Sequence, residues 1–548
     1  MLDQTSNTEL TEFGQVIYKQ KYSLDGQEEW PETAFRVTFN VMGALGYKPG
    51  DPLFEEILRI ITERKFIPGG RYLYAAGRPL HQVNNCFLVK AEDSREGWAD
   101  LAHKSLMVLQ TGGGLGVDYS DIREYGAPIR KTGGIASGPL PLMQMINEMG
   151  RGVMQGGSRR SALIALLNWD HPDCFDFIHC KDWSDHIKAA KLEDGNAFAP
   201  MDMTNISINL NDEFFDAIRD PQHSKHQLAT RIYDEAISNG LATGEPGFSV
   251  NIGDQSDEIL RNPCGEVTSA DDSDVCNLGS INLAKIEDEV ELEEVTDLAT
   301  LFLLAGTVYS HIPYEKVGEI RAKNRRIGLG LMGVHEWLLK RNLPYEPNDE
   351  LGKWLSIWEE ISDRSAQYWA NQHNLSEPIA KRAIAPAGTI GIIGGTTTGI
   401  EPIFCVAYKR RYLTEGTKWK YQYVVDPTAH RLIEEYGVDP SNIEDAYSLS
   451  YNIEKRIFFQ AWVQQYVDMG ISSTVNLPYS ITDKNEIDDM KEWLVTYLPS
   501  LRGITFYPDG ARGNQPLVPS TYEEAIKHQG VVFEEDVEHA CKDGVCGA

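Results

Sequence analysis

The chain has 548 residues, with 51 Lys and Arg against 81 Asp and Glu, a net charge of −30. That balance argues against a polynucleotide binder, which carries a basic footprint, and against docking on an anionic membrane; it leaves room for a small phosphorylated ligand held locally. The apolar fraction of 42% is too high for a disordered chain and enough for a large core.

At roughly 150 residues per domain the length equals three or four domains, or one large α/β barrel with its decorations. The start, MLDQTSNTEL, shows no basic segment followed by an apolar one, so no secretory signal is expected. The longest apolar run, residues 298–306, is far too short to span a membrane. The expectation is a soluble, cytoplasmic protein. Eight cysteines are too sparse for a disulfide scaffold. In a reducing compartment each is a small core residue or a chemical one.

Residues 1–62 read as helical, from the spaced apolar positions of PETAFRVTFNVMGALGY and LFEEILRIITER. From Phe66 the texture becomes α/β. Strands are predicted at NCFLV (85–89), ALIALL (162–167), NISINL (205–210), SINLAKI (280–286) and IGIIG (390–394). An acidic, solvated stretch at 287–297 leads into an apolar helix near 298–312. Residues 63–515 form the main domain, and the polar segment 516–548 reads as a flexible tail.

Five constellations carry chemistry. In Asn262-Pro263-Cys264-Gly265-Glu266 the Pro and Gly mark a tight loop. An extended Asn-x-Cys-x-Glu would turn amide, thiol and carboxylate to one side. The carboxylate could then serve as base and the sulfur as nucleophile or radical carrier; a buried cysteine in a turn is the plain alternative. Cys276 (VCNLGSINL) and Cys86 (NNCFLV) stand at the start of strand-like runs, where barrel active sites collect and where core cysteines are also common. Cys541 and Cys546 sit on the polar tail with no core to fill. A zinc site there lacks a second ligand pair, so a mobile dithiol that exchanges with a distant disulfide is the better reading. Two Gly-rich turns, 111–116 and 386–391, allow close backbone approach and fit neither a Walker nor a Rossmann pattern. The second suits a phosphate, or is an ordinary tight turn. The few basic clusters (Arg159-Arg160, 321–326, 409–411) read mainly as solvated or paired with the acidic excess.

Together these residues resemble the catalytic subunit of ribonucleotide reductase. FIPGGRYLY, NNCFLV, TGGGLGVD, DIREYGAPIRKTGG, GGSRRSALIALLNWDHPD, NPCGE, CNLGSINL, RRIGLGLMG, APAGTIGIIGGTTTGIEP and the terminal cysteine pair occur in family order. The resemblance implies a ten-stranded α/β barrel with a central finger loop carrying Cys264. It implies that Cys264 becomes a thiyl radical and takes the ribose 3′ hydrogen, with Glu266 as base for the 3′ hydroxyl and Asn262 bonded to substrate. Cys86 and Cys276 match the pair that reduces the 2′ position and ends as a disulfide. Cys541 and Cys546 match the dithiol that reduces that disulfide and is recharged by thioredoxin or glutaredoxin. Substrate contacts fall on Gly70, Asn85, Gly114 and the turn Pro386-Ala387-Gly388-Thr389-Ile390. Effector contacts, for dNTP or ATP, fall on Asp93, Arg123 and Arg130, near the 129–137 loop. Cys174, Cys180 and Cys405 match no redox role and read as packing residues.

Members differ in how the radical is made. One class uses a metal-containing subunit and a relay through two adjacent tyrosines; here the corresponding stretch reads Thr505-Phe506-Tyr507-Pro508-Asp509-Gly510. Phenylalanine has no phenolic hydrogen to lose, so the relay is broken. A glycyl-radical class has a zinc-binding cysteine set that this chain lacks. The resemblance therefore points to class II, with adenosylcobalamin as cofactor and no protein-supplied metal site; the large subunit of a two-component class I enzyme is the alternative. The implied reaction makes 2′-deoxyribonucleotides, DNA precursors, from ribonucleoside di- or triphosphates, with diphosphates favoured. The first 62 residues are too few for an ATP-cone, and the expected assembly is a homodimer.

Overall fold

The structure is a computed structural model that describes residues 10–130, 133–153, 161–193, 197–413, 419–508 and 517–535. The N-terminal region is helical as expected: Glu12–Lys21, Trp30–Gly43 and Pro52–Thr62. Proline opens the second and third helices, where its missing N–H costs nothing. Their buried side chains, among them Tyr18, Trp30, Val41, Phe54 and Ile61, enter one core with barrel residues Ile281, Leu329 and Leu331.

Among the described residues sixteen strands follow: β1 Phe66–Pro68, β2 Cys86–Lys90, β3 Gly114–Asp118, β4 Leu163–Asn168, β5 Thr204–Asn211, β6 Gly247–Asn251, β7 Leu260–Arg261, β8 Thr268–Ser269, β9 Asp274–Asn282, β10 Ile327–Met332, β11 Ala407–Leu413, β12 Trp419–Val425, β13 Thr474–Leu477, β14 Gly503–Pro508, β15 Leu517–Pro519 and β16 Val532–Glu535. β2 to β6 run parallel in chain order. β9 and β10 are parallel, as are β13 and β14. The extended stretch 380–384 closes the gap between them through the parallel bridges Leu329–Arg382 and Ile384–Ile471. The two halves meet antiparallel at β2/β9 and β6/β14. The result is a ring of two five-stave halves, the expected ten-stranded α/β barrel. β1 adds antiparallel to the far end of β9. All nine residues of β9 and all six of β10 are buried, as staves covered by helices outside and filled inside must be.

Four readings are corrected. IGIIG is helical, within Gly388–Gly394. A short apolar run does not distinguish strand from helix, and Gly395, left-handed at φ 64°, is the helix-ending signal. The strand predicted at 280–286 begins earlier and stops at Asn282, where residues 283–285 turn. The acidic stretch is not a lead-in: the helix runs Glu289–Tyr309, capped by Asp288, because carboxylates are favoured in a first helical turn. The segment expected to be tail from 516 forms structure to Glu535, with β15, the helix Tyr522–Lys527 and β16. Its strands flank the β11–β12 hairpin in the order β15-β11-β12-β16, a pairing made by backbone groups that polar composition conceals. No described helix is long and apolar enough to cross a membrane.

Candidate active site

The short antiparallel pair β7/β8, with Arg261 opposite Thr268, carries 262–267 at its tip inside the barrel. Gly265 is left-handed at φ 83° and its N–H closes the turn on Asn262 O at 2.9 Å. The Asn262 side chain locks the same turn by accepting from Val267 N at 2.9 Å. The hairpin stem lies against β3, where a Cβ on Gly116 would fall 1.6 Å from Arg261 O.

Buried charges hold this stem. Arg261 donates to Val250 O at 3.0 Å and to Asn251 Oδ1 at 2.6 Å. Glu258 accepts from Thr268 Oγ1 at 2.5 Å and pairs with Arg326 at 3.4 Å and Arg502 at 3.2 Å. Arg326 also pairs with Asp274 on β9 at 3.0 Å, and both are essentially inaccessible. The basic cluster at 321–326 is thus partly interior: Arg326 ties the hairpin to the stave that carries Cys276.

Asn262, Cys264 and Glu266 border one cavity of about 340 Å³. They converge by the tight turn, not by strand alternation. Asn262 and Glu266 are buried, and Cys264 is exposed. Cys86 borders the same cavity, and so does every position expected to touch substrate: Gly70, Asn85, Gly114, Pro386, Ala387, Gly388, Thr389 and Ile390. Cys276 lies behind, directly opposite Cys86 in the β2/β9 register. It is the third residue of β9, not the start of a strand. Directly opposed Cβ atoms are about 4.5–5.5 Å apart, and a small approach brings them to the roughly 3.5–4.5 Å of a disulfide.

Burial sets the protonation of these groups. The Glu266 carboxyl is pushed up to about 7 by burial, partly offset by its bond from Asn262. Burial raises the Cys86 thiol well above its ordinary range, and the neighbouring Glu266 charge raises it further. Cys276 is also raised by burial, with Arg326 pulling the other way. Both thiols therefore hold their protons at neutral pH. Asn262 Nδ2 donates to Cys86 Sγ at 2.9 Å. Three buried polar atoms around the cavity, Glu266 Oε2, Asn85 Oδ1 and Ser280 Oγ, have no hydrogen-bond partner among the described residues. A polar ligand satisfies such atoms.

A second cavity, of about 300 Å³, reaches Cys264 from another side; its walls include Asn205, Ser249, Thr505 and Tyr507. Cys264, Pro263 and Pro386 border both cavities, so the thiol stands at the partition. On β14, Phe506 is 3% exposed, packs in a hydrophobic core and borders this second cavity beside Tyr507. A third cavity, about 410 Å³, is bordered by Asp93, Trp98, Arg123, Ile129 and Ser137. Arg123 and Asp93 are paired across it at 2.7 Å, whereas Arg130 is exposed and not among its lining residues.

Cys174 and Cys405 are buried and Cys180 packs at the core margin, in line with packing roles. Cys541, Cys546, Arg159, Arg160, Asp509 and Gly510 lie outside the described residues. Residues that motif reading missed are Tyr22, Arg71 and Ser280, all at the first cavity. Ser280 had a signal, a polar residue in an apolar stave; Tyr22 had none.

The family model "Ribonucleotide reductase, barrel domain" matches residues 84–243, 254–368 and 355–499. A Thermoplasma acidophilum protein named vitamin B12-dependent ribonucleoside-diphosphate reductase is 28% identical, over 88% of this chain and 68% of its own. A Mycobacterium tuberculosis protein of the same name is 27% identical, over 86% and 74%. A Mycobacterium phage D29 protein, named provisionally as an adenosylcobalamin-dependent ribonucleoside-triphosphate reductase, is 25% identical over 97% and 98%. The solved alpha subunit of the Actinobacillus ureae class Id ribonucleotide reductase superposes with a TM-score of 0.73 at 14% identity, covering 92% of this chain and 99% of its own, a likeness of fold.

Proposed function

The chain belongs to the ribonucleotide reductase family, and from that premise we propose that it reduces ribonucleotides to 2′-deoxyribonucleotides by thiyl-radical chemistry with adenosylcobalamin as the radical source. The observation that carries the reading is Cys264 at the partition of two cavities, with Asn262, Glu266 and Cys86 around one of them. The names of the relatives support the cofactor.

The second cavity reaches the thiol where the adenosyl group of such a cofactor would act; at about 300 Å³ it is too small for the whole corrinoid. It is bordered by Asn205, Ser249, Thr505 and Tyr507 and meets the Cys264 thiol without crossing the substrate side. Among the described residues no three His, Cys, Asp or Glu side chains are placed to hold a metal ion; a corrinoid brings its own ring ligands for cobalt. When bound, adenosylcobalamin supplies the one-electron oxidation of the Cys264 thiol.

The chain's residues then act in order. Cys264, as thiyl, takes the 3′ hydrogen of the ribose. Glu266, poised near 7, accepts the 3′-hydroxyl proton, since a base works best with a pKa near the working pH. Asn262 orients substrate and the Cys86 thiol. Cys86 and Cys276 give up two hydrogens: the 2′ C–O bond breaks, water leaves, a C–H bond replaces it, and the thiols join as a disulfide. Cys264 then returns the abstracted hydrogen to the 3′ carbon and is left as the thiyl again. Cys541 and Cys546 reduce the disulfide by exchange, and thioredoxin or glutaredoxin recharges them. Diphosphates are the favoured substrate. The Asp93–Arg123 cavity takes the dNTP or ATP effector, with Arg130 at its margin, and the active form is a homodimer.

Anaerobic turnover with adenosylcobalamin and dithiothreitol, and no second protein, tests this, with di- and triphosphates run side by side. Reduction supports it. Turnover only with a metal-loaded partner subunit refutes the cofactor assignment in favour of class I.

A further inference from the structure

Tyr22 follows the first helix and belongs to no motif, yet it reaches the substrate cavity. Its ring is buried, at 6% exposure, and its hydroxyl lies 2.5 Å from Thr389 Oγ1, within the 386–390 turn. It also fills the space beside Gly70, where an added Cβ would come 2.7 Å from the Tyr22 hydroxyl. We infer that Tyr22 is a phosphate-binding residue, presenting with Thr389 a hydroxyl donor to the phosphates of the bound ribonucleotide. The inference rests on the proposed reading of this cavity as a ribonucleotide site.

Two hydroxyls carry two protons, and the bond between them uses one. Neither oxygen has another partner among the described residues. The second proton is therefore available to an acceptor in the cavity. Because either hydroxyl can be the donor in their mutual bond, the pair can aim its spare proton from either oxygen.

The setting favours an anionic acceptor. Arg71 is the sole Lys or Arg among the residues bordering the cavity, and its guanidinium already donates to Gln82 O at 2.8 Å and Thr111 O at 2.6 Å. In a chain of net charge −30, phosphate must be held by neutral donors at short range more than by the overall field. A hydroxyl pair with a spare proton is such a donor, and a hydrogen bond to a charged oxygen is stronger than one between neutral groups.

Tyr22 is also anchored beside the turn by its own helix. The first helix packs on the helix Gly388–Gly394, where a Cβ on Gly14 would lie 3.2 Å from Ile392 O. Arg36, paired with Glu28 at 2.7 Å, reaches the Tyr22 carbonyl at 3.5 Å. The N-terminal helices are thus part of the substrate site.

The test is equilibrium dialysis of labelled ribonucleoside diphosphate and of the phosphate-free ribonucleoside against cofactor-free full-length protein. Tyr22→Phe keeps the ring and removes the hydroxyl. Its diphosphate dissociation constant should rise about tenfold or more, with the ribonucleoside constant unchanged. In turnover KM should rise with kcat little altered. Gly70→Ala, which pushes the hydroxyl aside without removing it, should weaken the diphosphate in the same direction and serves should Tyr22→Phe lower the melting temperature. Unchanged diphosphate affinity in both variants, or equal weakening of nucleoside and nucleotide, overturns the inference. Wild-type protein that binds no ribonucleotide overturns instead the reading of the cavity.

Discussion

Glu266→Gln should trade activity for stability, with the pH dependence showing why. The Glu266 carboxyl is buried and shifted from 4.5 to about 7. At 1.36 kcal/mol per unit this is about 3 kcal/mol. Between those values the folded chain holds a proton that the unfolded chain has released. Stability is therefore full below pH 4.5, falls as pH rises, and has lost the whole amount above pH 7. Glutamine has nearly the same shape and does not titrate. Urea unfolding of wild type and variant at pH 5 and pH 8 should show the variant gaining about 2.5 kcal/mol on wild type between the two conditions, part of the amount being already lost at pH 5; other titrating groups are common to both chains and cancel. The variant should lose roughly 10²–10⁴-fold in kcat, the usual worth of a positioned base, and wild-type kcat/KM should rise with pH through about 7. A stability difference identical at pH 5 and pH 8 would refute the placement of a buried carboxyl without a charge partner at this position.

Three further outcomes follow from the hairpin and the thiol pair. Gly116→Ala puts a methyl group 1.6 Å from Arg261 O, a backbone clash that no rotamer relieves; the hairpin must shift, and turnover should fall by about 10²-fold or more, while nucleotide binding at the Asp93–Arg123 cavity, measured by dialysis, is retained. Arg326→Met strands the buried Asp274 and half the pairing of Glu258, and should cost about 3–5 kcal/mol in urea unfolding; adding Asp274→Leu should recover much of it, and no recovery would argue against the pair. A single turnover without reductant should leave a Cys86–Cys276 disulfide on peptide mapping, abolished by Cys86→Ser or Cys276→Ser; a disulfide from Cys264 in wild type would contradict the assignment of that thiol as radical carrier.

Much of the site was legible in the linear chain because its chemistry is local. Asn262, Cys264 and Glu266 sit within five residues, and a Pro and a Gly mark the turn that gathers them. Their convergence was expected from strand alternation, but the left-handed Gly265 achieves it. Cys86 and Cys276 were legible by motif, while their opposition is a matter of β2/β9 register. The IGIIG run shows the limit: three isoleucines and two glycines suit strand or helix, and packing against the first helix accompanies the helical choice.

The sequence by itself determined the residue types the proposed reaction uses, thiols, one carboxyl, one amide and Gly-rich turns, and it set at position 506 a Phe that cannot lose a phenolic hydrogen. Only the tertiary structure decided what surrounds them. Closure through 380–384 makes a ring, and the ring sets Cys264 between two cavities. It also buries Glu266 until its carboxyl reaches about 7, gathers Arg261, Arg326 and Arg502 beneath the hairpin, and brings Tyr22 against Thr389. The physical reason is range. Side-chain chemistry and turn preference act over a few residues, whereas desolvation, ion pairing and cavity shape depend on segments that become neighbours only when the barrel closes.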